Sequence, residues 1–257
     1  MILNPKHRRQ MRQVTVQKID QVTPRVRRIV LGGEPLVGFN TPRPGAHIKL
    51  LFGVDPNEPV DPKKMRSQMR TYTPRHFNSE THELTVEFVL HGSGLASTWA
   101  AQAQVGETIT VAGPGGGMDI PDVAVMVMLV DESAMPAAGI LLESLPANCS
   151  PIVICEVEDV HEQRSLSSKI GVQPTWLFRK EQSAEPGLLL EKYLPNVLMG
   201  IEDLDDVFWW IACEANAMRR MRSHLLNQQG VSKDRLVSRG YWKLDTSNHP
   251  DHDYGES

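Results

Sequence analysis

Leu84-Thr85-Val86-Glu87-Phe88-Val89-Leu90 sets Leu84, Val86, Phe88 and Leu90 on one side of an extended chain and Thr85, Glu87 and Val89 on the other. Apolarity at period two predicts a strand with one buried face. Upstream, Val14–Ile19, Val26–Leu31 and His47–Phe52 share its β-branched bias, and Glu107–Ala112 repeats it downstream. Gly32-Gly33, Pro42-Arg43-Pro44-Gly45 and Asp55-Pro56-Asn57 read as turns between them. Strands this close together, with one short helix after His91, predict an antiparallel barrel. Ser97 is read as the N-cap of that helix, before Thr98-Trp99-Ala100-Ala101. Gly113-Pro114-Gly115-Gly116-Gly117 fails the dinucleotide test, because Met118 stands where a third glycine belongs and no helix follows. It is read as the linker that closes the barrel.

Beyond Pro121 the pattern changes. Val123–Val130 is a continuous apolar run, as a parallel strand covered on both faces requires. A helix is expected over 134–145, with Pro136 tolerated in its first turn. Ile152–Val157, Pro174–Phe178, Val207–Cys213 and Leu236–Trp242 read as further strands. Gly187–Met199 and Ala215–Gln229 read as helices, the second ended by Gly230. Strand–helix alternation predicts an open α/β sheet that takes ligands at the carboxyl ends of its strands. Two domains follow, 1–120 and 121–257.

The 257 residues are 40% hydrophobic and 23% charged, which excludes a disordered or fibrous chain. The longest apolar run is far short of the roughly 20 residues of a membrane helix. Residues 1–12 are basic without an apolar core, so no signal peptide is expected. Cys149, Cys155 and Cys213 lack C-x-x-C spacing, which suggests a reducing compartment, and a cytoplasmic monomer is expected. The net charge of −4 is unevenly spread: residues 1–28 hold eight Lys/Arg against one acid. Between Arg75 and Arg164 stand thirteen acids and no Lys or Arg. Nucleic-acid binding needs distributed cations and is not expected.

Within that distribution two clusters carry chemistry. Arg70-Thr71-Tyr72-Thr73-Pro74-Arg75 offers a guanidinium for a pyrophosphate, a flat ring and a hydroxyl, with Arg70 and Tyr72 on one strand face. His91-Gly92-Ser93-Gly94-Leu95-Ala96-Ser97 leads into the short helix, where the hydroxyl of Ser97 and the amides of Ala96 to Trp99 would hold a phosphate. Asp131-Glu132-Ser133 follows the first α/β strand, where a nicotinamide nucleotide would bind, although two acids suit a pyrophosphate poorly. Cys213 is read as a small buried hydrophobe. His249-x-x-His252, with Asp251 and Asp253, has metal-like spacing in an acidic tail, but no metal site is assigned. P-loop, G-x-S-x-G and H-E-x-x-H patterns are absent.

These residues resemble the siderophore-interacting, FAD-binding family, which is related to ferredoxin reductases and includes bacterial ferric-siderophore reductases. Arg70-Thr71-Tyr72-Thr73 is similar to its R-x-Y-T/S flavin motif, and His91–Ala100 to its H-G-x-x-G-P-A-S-x-W-A, with Leu95 in place of Pro. Asp131–Ala137 is similar to D-E-T-A-L-P-A, Cys213-Glu214-Ala215 to G-E-A, and Gly240-Tyr241-Trp242-Lys243 to G-Y-W-R/K. The resemblance implies an FAD-binding β-barrel followed by a Rossmann-like NAD(P)-binding α/β domain. It implies cofactor contacts from Arg70, Tyr72, Thr73, Val89 and His91, and from Gly94, Ala96, Ser97 and Thr98. The second domain would add Asp131, Ser133 and Trp242. Electrons from NAD(P)H or reduced ferredoxin would pass through FAD to a ferric siderophore, with Lys49 and Lys243 toward an anionic chelate and no acid–base residue required. Glu156-Val157-Glu158-Asp159 would repel a 2′-phosphate unless Arg164, Lys169, Arg179 or Lys180 compensates. Two other readings stay open: a binding protein without turnover, and a general NAD(P)H:flavin oxidoreductase.

Overall fold

The computed structural model describes residues 10–41, 43–54, 61–92, 94–166, 171–250 and 253–255. The chain forms two compact units, Met1–Met118 and Asp119–Ser257.

In the first unit the apolar alternation builds strands β1 (Met11–Thr23), β2 (Val26–Gly32), β3 (Ala46–Leu51), β4 (Met69–Tyr72), β5 (His76–Asn78), β6 (Glu83–Val89) and β7 (Thr108–Gly116). They form one antiparallel sheet in the order β4-β3-β7-β1-β2-β6-β5. β1 lets the sheet curl: Met11–Thr15 pair with β7, and Thr15–Thr23 pair with β2 through two irregularities in register. The end strands β4 and β5 share no ladder among the described residues, so the expected barrel is open there. The inward positions Val16, Ile29, Leu31, Ile48, Leu50, Leu84, Val86 and Phe88 are fully buried, as the alternation in β6 predicts. Among the described residues two α-helices complete the unit, α1 (Pro62–Ser67) and α2 (Leu95–Gln102). α1 is capped by Asp61, which accepts from Lys63 N at 3.2 Å.

The glycine run is not a linker. Its first four residues lie in β7, where Gly115 and Gly116 pair with His47 and Ala46. A Cβ on Gly116 would stand 2.7 Å from His47 Nδ1, at a φ of +68°. A strand pressed this closely against a neighbouring ring excludes side chains, and glycine content therefore misreads as a loop.

In the second unit β8 (Val125–Asp131), β9 (Ser150–Val157), β10 (Thr175–Phe178), β11 (Val207–Glu214) and β12 (Leu236–Trp242) form a parallel sheet in the order β10-β9-β8-β11-β12. Its helices are α3 (Met135–Ser144), α4 (Arg179–Gln182), α5 (Leu188–Met199) and α6 (Ala215–Asn227). One face buries Val127, Leu129, Trp209 and Ile211 with Leu190 and Leu194 of α5 and with Met218, Met221 and Leu225 of α6. The chain leaves β8 toward β9 and later returns to its other side as β11. The order therefore reverses between β8 and β11, the switch point at which open α/β sheets bind ligands.

Candidate functional site

In the first unit β4 pairs with β3 through Arg70↔Leu50 and Tyr72↔Ile48. Leu50 and Ile48 are core residues, so Arg70 and Tyr72 share the inward face at the sheet's end strand. Tyr72 packs on Phe88 of β6 with ring centroids 4.5 Å apart, and Phe88 packs on Trp99 of α2 at 5.5 Å. Phe52 closes the chain of rings against Trp99, also at 5.5 Å. These contacts bring the arginine–tyrosine strand and the glycine–serine helix into one core. Phe52 and Phe88 do so without belonging to either motif, and the only signal for Phe88 was its place on the buried face of β6. Burial raises the Tyr72 phenol, with Arg70 pulling the other way, and keeps it neutral. Arg70 is half-buried, and its Nη1 donates to Ser67 O at 2.8 Å and Met69 O at 2.9 Å. Thr73 follows the strand, half-buried.

α2 starts one turn earlier than expected. Gly94, at a φ of +88°, is its N-cap, and Thr98 N donates to Gly94 O at 2.9 Å. Ser97 is therefore a first-turn residue, not the cap, and the helix-start amides are those of Leu95, Ala96 and Ser97, not those of Thr98 and Trp99. Ser97 Oγ accepts from His91 N at 3.0 Å, which fastens the end of the β6 segment to the helix. Glycine suits position 94 because a Cβ there would approach the His91 ring to 3.2 Å. His91 and Thr98 are exposed, Val89 is half-buried, and Ala96 and Ser97 are buried. Ser93 lies outside the described residues.

In the second unit Asp131 ends β8. It accepts from Ser133 N at 3.0 Å, from Ser133 Oγ at 2.5 Å and from Trp242 Nε1 at 2.7 Å. The three residues of this unit expected to contact the cofactor thus form one cluster, which does not include Lys243. Burial, with Glu132 beside it, pushes the Asp131 carboxyl up to about 6 against those hydrogen bonds and the Arg179 charge. Arg179 is buried, bonded to Glu132, and placed 3.3 Å from Glu156 and 3.5 Å from Glu158. Burial opposes its charge, but the carboxylates outweigh burial and raise its pKa. Glu156 is fully buried and accepts from the amides of Gly187, Leu189 and Leu190 at 2.6, 2.9 and 3.1 Å. Glu214 accepts from Asn216 N and Ala217 N at 2.7 and 2.9 Å. The roles of Glu156 and Glu214 escaped sequence reasoning. A carboxylate at a strand end reads as a surface charge until the helix it caps is known.

The two lysines are placed differently. Lys49 is 6% exposed and donates to Thr71 Oγ1 at 2.5 Å, on the face of β3 and β4 opposite Tyr72. Lys243 is half-buried just after β12. Cys213 is fully buried, and burial pushes its thiol well up, which suits a packing role. His249 Nε2 and Arg219 both reach Asp253 Oδ2, at 2.8 and 2.5 Å. Asp251 and His252 lie outside the described residues, as does Lys169. No helix among the described residues is long and apolar enough to cross a membrane.

Residues 15–118 match the model of the siderophore-interacting FAD-binding domain, and residues 123–245 match that of the siderophore-interacting protein. An NADPH-dependent ferric-chelate reductase of Escherichia coli is 33% identical over 245 residues, covering 90% of this chain and 92% of its own. Ferric vibriobactin reductase of Vibrio cholerae is 29% identical over 228 residues, covering 84% and 83%. The crystal structure of a siderophore utilization protein from T. fusca superposes with a TM-score of 0.82 at 31% identity, over 95% of this chain and 96% of that one.

Proposed function

The chain belongs to the siderophore-interacting protein family, and on that premise we propose that it is an FAD-dependent ferric-siderophore reductase. The reading assigns FAD binding to residues 1–120 and a nicotinamide-nucleotide role to 121–257. Electrons enter from NAD(P)H or reduced ferredoxin and leave to Fe(III) held in its chelate in the cytoplasm. Fe(II) is held far more weakly by hard oxygen ligands, so reduction frees the metal. FAD, when bound, supplies the exchange between two-electron and one-electron chemistry that side chains lack.

The observation that carries the reading is the run of rings from Tyr72 through Phe88 to Trp99. It joins a cation-bearing strand to a helix start whose first-turn amides have no side-chain cap among the described residues, the donor set a flavin pyrophosphate requires. The residues fit the group. Arg70 supplies charge, the amides of Leu95, Ala96 and Ser97 supply direction, and glycine at 94 lets a phosphate approach the backbone. Tyr72 supplies ring surface, with the Thr73 hydroxyl beside it, and Asp131 holds the Trp242 indole in one orientation.

The test is direct. Purified protein titrated with FAD should show bound-flavin absorbance that bleaches with dithionite and returns when a ferric chelate is added anaerobically. Protein that takes up no flavin overturns the proposal. Bound flavin that a ferric siderophore reoxidises no faster than it reoxidises free FAD leaves a binding protein or a general flavin reductase instead.

A further inference from the structure

Of the helices that begin at the carboxyl edge of the parallel sheet, α5 and α6 have starts filled by side-chain carboxylates, and α3 offers few amides. At α3 no side chain caps the first amides, but Pro136 in the first turn has no N–H, and Met135 and Ala137 are buried. At α5 the Glu156 carboxylate holds the amides of Gly187, Leu189 and Leu190. At α6 the Glu214 carboxylate holds those of Asn216 and Ala217, while its other oxygen accepts from Leu244 N at 3.3 Å. Glu214 ends β11 and Asp131 ends β8, the two strands that flank the switch point. Nearby cations are already engaged: Arg179 by three carboxylates, Lys180 by Asp159 at 3.6 Å, and Arg220 by Glu191 at 2.8 and 2.5 Å.

A dinucleotide pyrophosphate ordinarily sits on helix amides at this switch point, held by the helix dipole. At α5 and α6 the same dipole is satisfied by side-chain carboxylates, which also repel a second anion at short range. We infer that Glu214 is a donor-selectivity residue that keeps the pyrophosphate of a nicotinamide dinucleotide off the α6 start, so that NADH and NADPH are both captured weakly. This inference rests on the reductase reading above and concerns only its donor side.

Glu214→Ser keeps an N-cap oxygen for the helix amides while removing charge and length, and Glu214→Gln removes charge alone. With FAD-loaded protein and ferric citrate as acceptor, KM for NADH and NADPH should fall about fivefold in both variants at unchanged kcat, the order expected of one charge at a helix terminus. Calorimetric titration with ADP-ribose should show tighter binding by a similar factor. A folding defect would raise KM or lower kcat, not tighten nucleotide binding. A wild-type protein that cannot be saturated but becomes saturable in either variant supports the inference. Unchanged or raised KM in both variants, or no ADP-ribose binding in any of the three proteins, overturns it. Reoxidation of dithionite-reduced flavin by ferric citrate needs no nucleotide; its loss in wild type would count against the reductase reading instead.

Discussion

Asp131 combines burial, three hydrogen bonds and a carboxyl pushed up to about 6. An unfolded aspartate titrates near 3.9. Below about pH 4 both states hold the proton and there is no penalty. Between about 4 and 6 the folded protein binds that proton more tightly than the unfolded chain, so stability falls as pH rises. Above about 6 the full penalty applies, on the order of 3 kcal/mol. Asp131→Asn keeps an acceptor for Trp242 Nε1 and does not titrate. Urea unfolding across pH 4 to 7 should show the variant gaining on wild type as pH rises; a difference that stays flat would remove Asp131 as the cause. At the same scale, Arg70→Ala deletes a charge-assisted hydrogen bond worth roughly 1.5–3 kcal/mol, so FAD affinity should drop about 10- to 100-fold. Equilibrium titration followed by flavin absorbance checks this, and an unchanged Kd would place the pyrophosphate elsewhere.

Among the elements, α5 and α6 meet where Gly187 lies. A Cβ there would stand 2.2 Å from Ala217 Cβ, at a φ of +82°. Gly187 N also donates to Glu156 at 2.6 Å, so the helix pair, the buried carboxylate and the glycine form one joint. Gly187→Ala should destabilise the protein by about 2 kcal/mol or more through clash and backbone strain together, seen as a fall in Tm. A variant as stable as wild type would mean that the joint opens freely. Strands with strict apolar alternation or continuous burial, such as β6 and β8, could be read from sequence because a single chain segment carries their whole signal. The glycine run in β7 could not, since its side chains are missing for the sake of His47, over sixty residues away. Ser97 and Gly94 misled by one turn, because both residue types start helices and only the backbone decides between them. Glu156 and Glu214 were unreadable as caps for the same reason that Gly187 was unreadable as a joint: the partner is supplied by the tertiary fold.

For the molecule as a whole, charge is the property that reaches beyond contact distance. The chain is acidic by −4, yet residues 43–75 hold seven Lys/Arg against three acids. An anionic ferric chelate would be repelled by the whole and attracted by this stretch, a balance that salt screens over about 10 Å at 0.1 M. Lys49 takes little part in that attraction, being 6% exposed and bonded to Thr71; Lys49→Ala should lower stability more than chelate capture. Lys63 and Lys64 of α1, by contrast, are exposed. Replacing both by Gln should raise the apparent constant for an anionic ferric chelate about threefold at low ionic strength, with the gap closing by about 0.3 M salt as the screening length shrinks. A neutral chelate should respond to neither the substitutions nor the salt, and FAD content should be unchanged. Equal loss for anionic and neutral chelates at every ionic strength would mean that the α1 lysines act through shape, and that steering by this basic stretch plays no part in capturing the iron substrate.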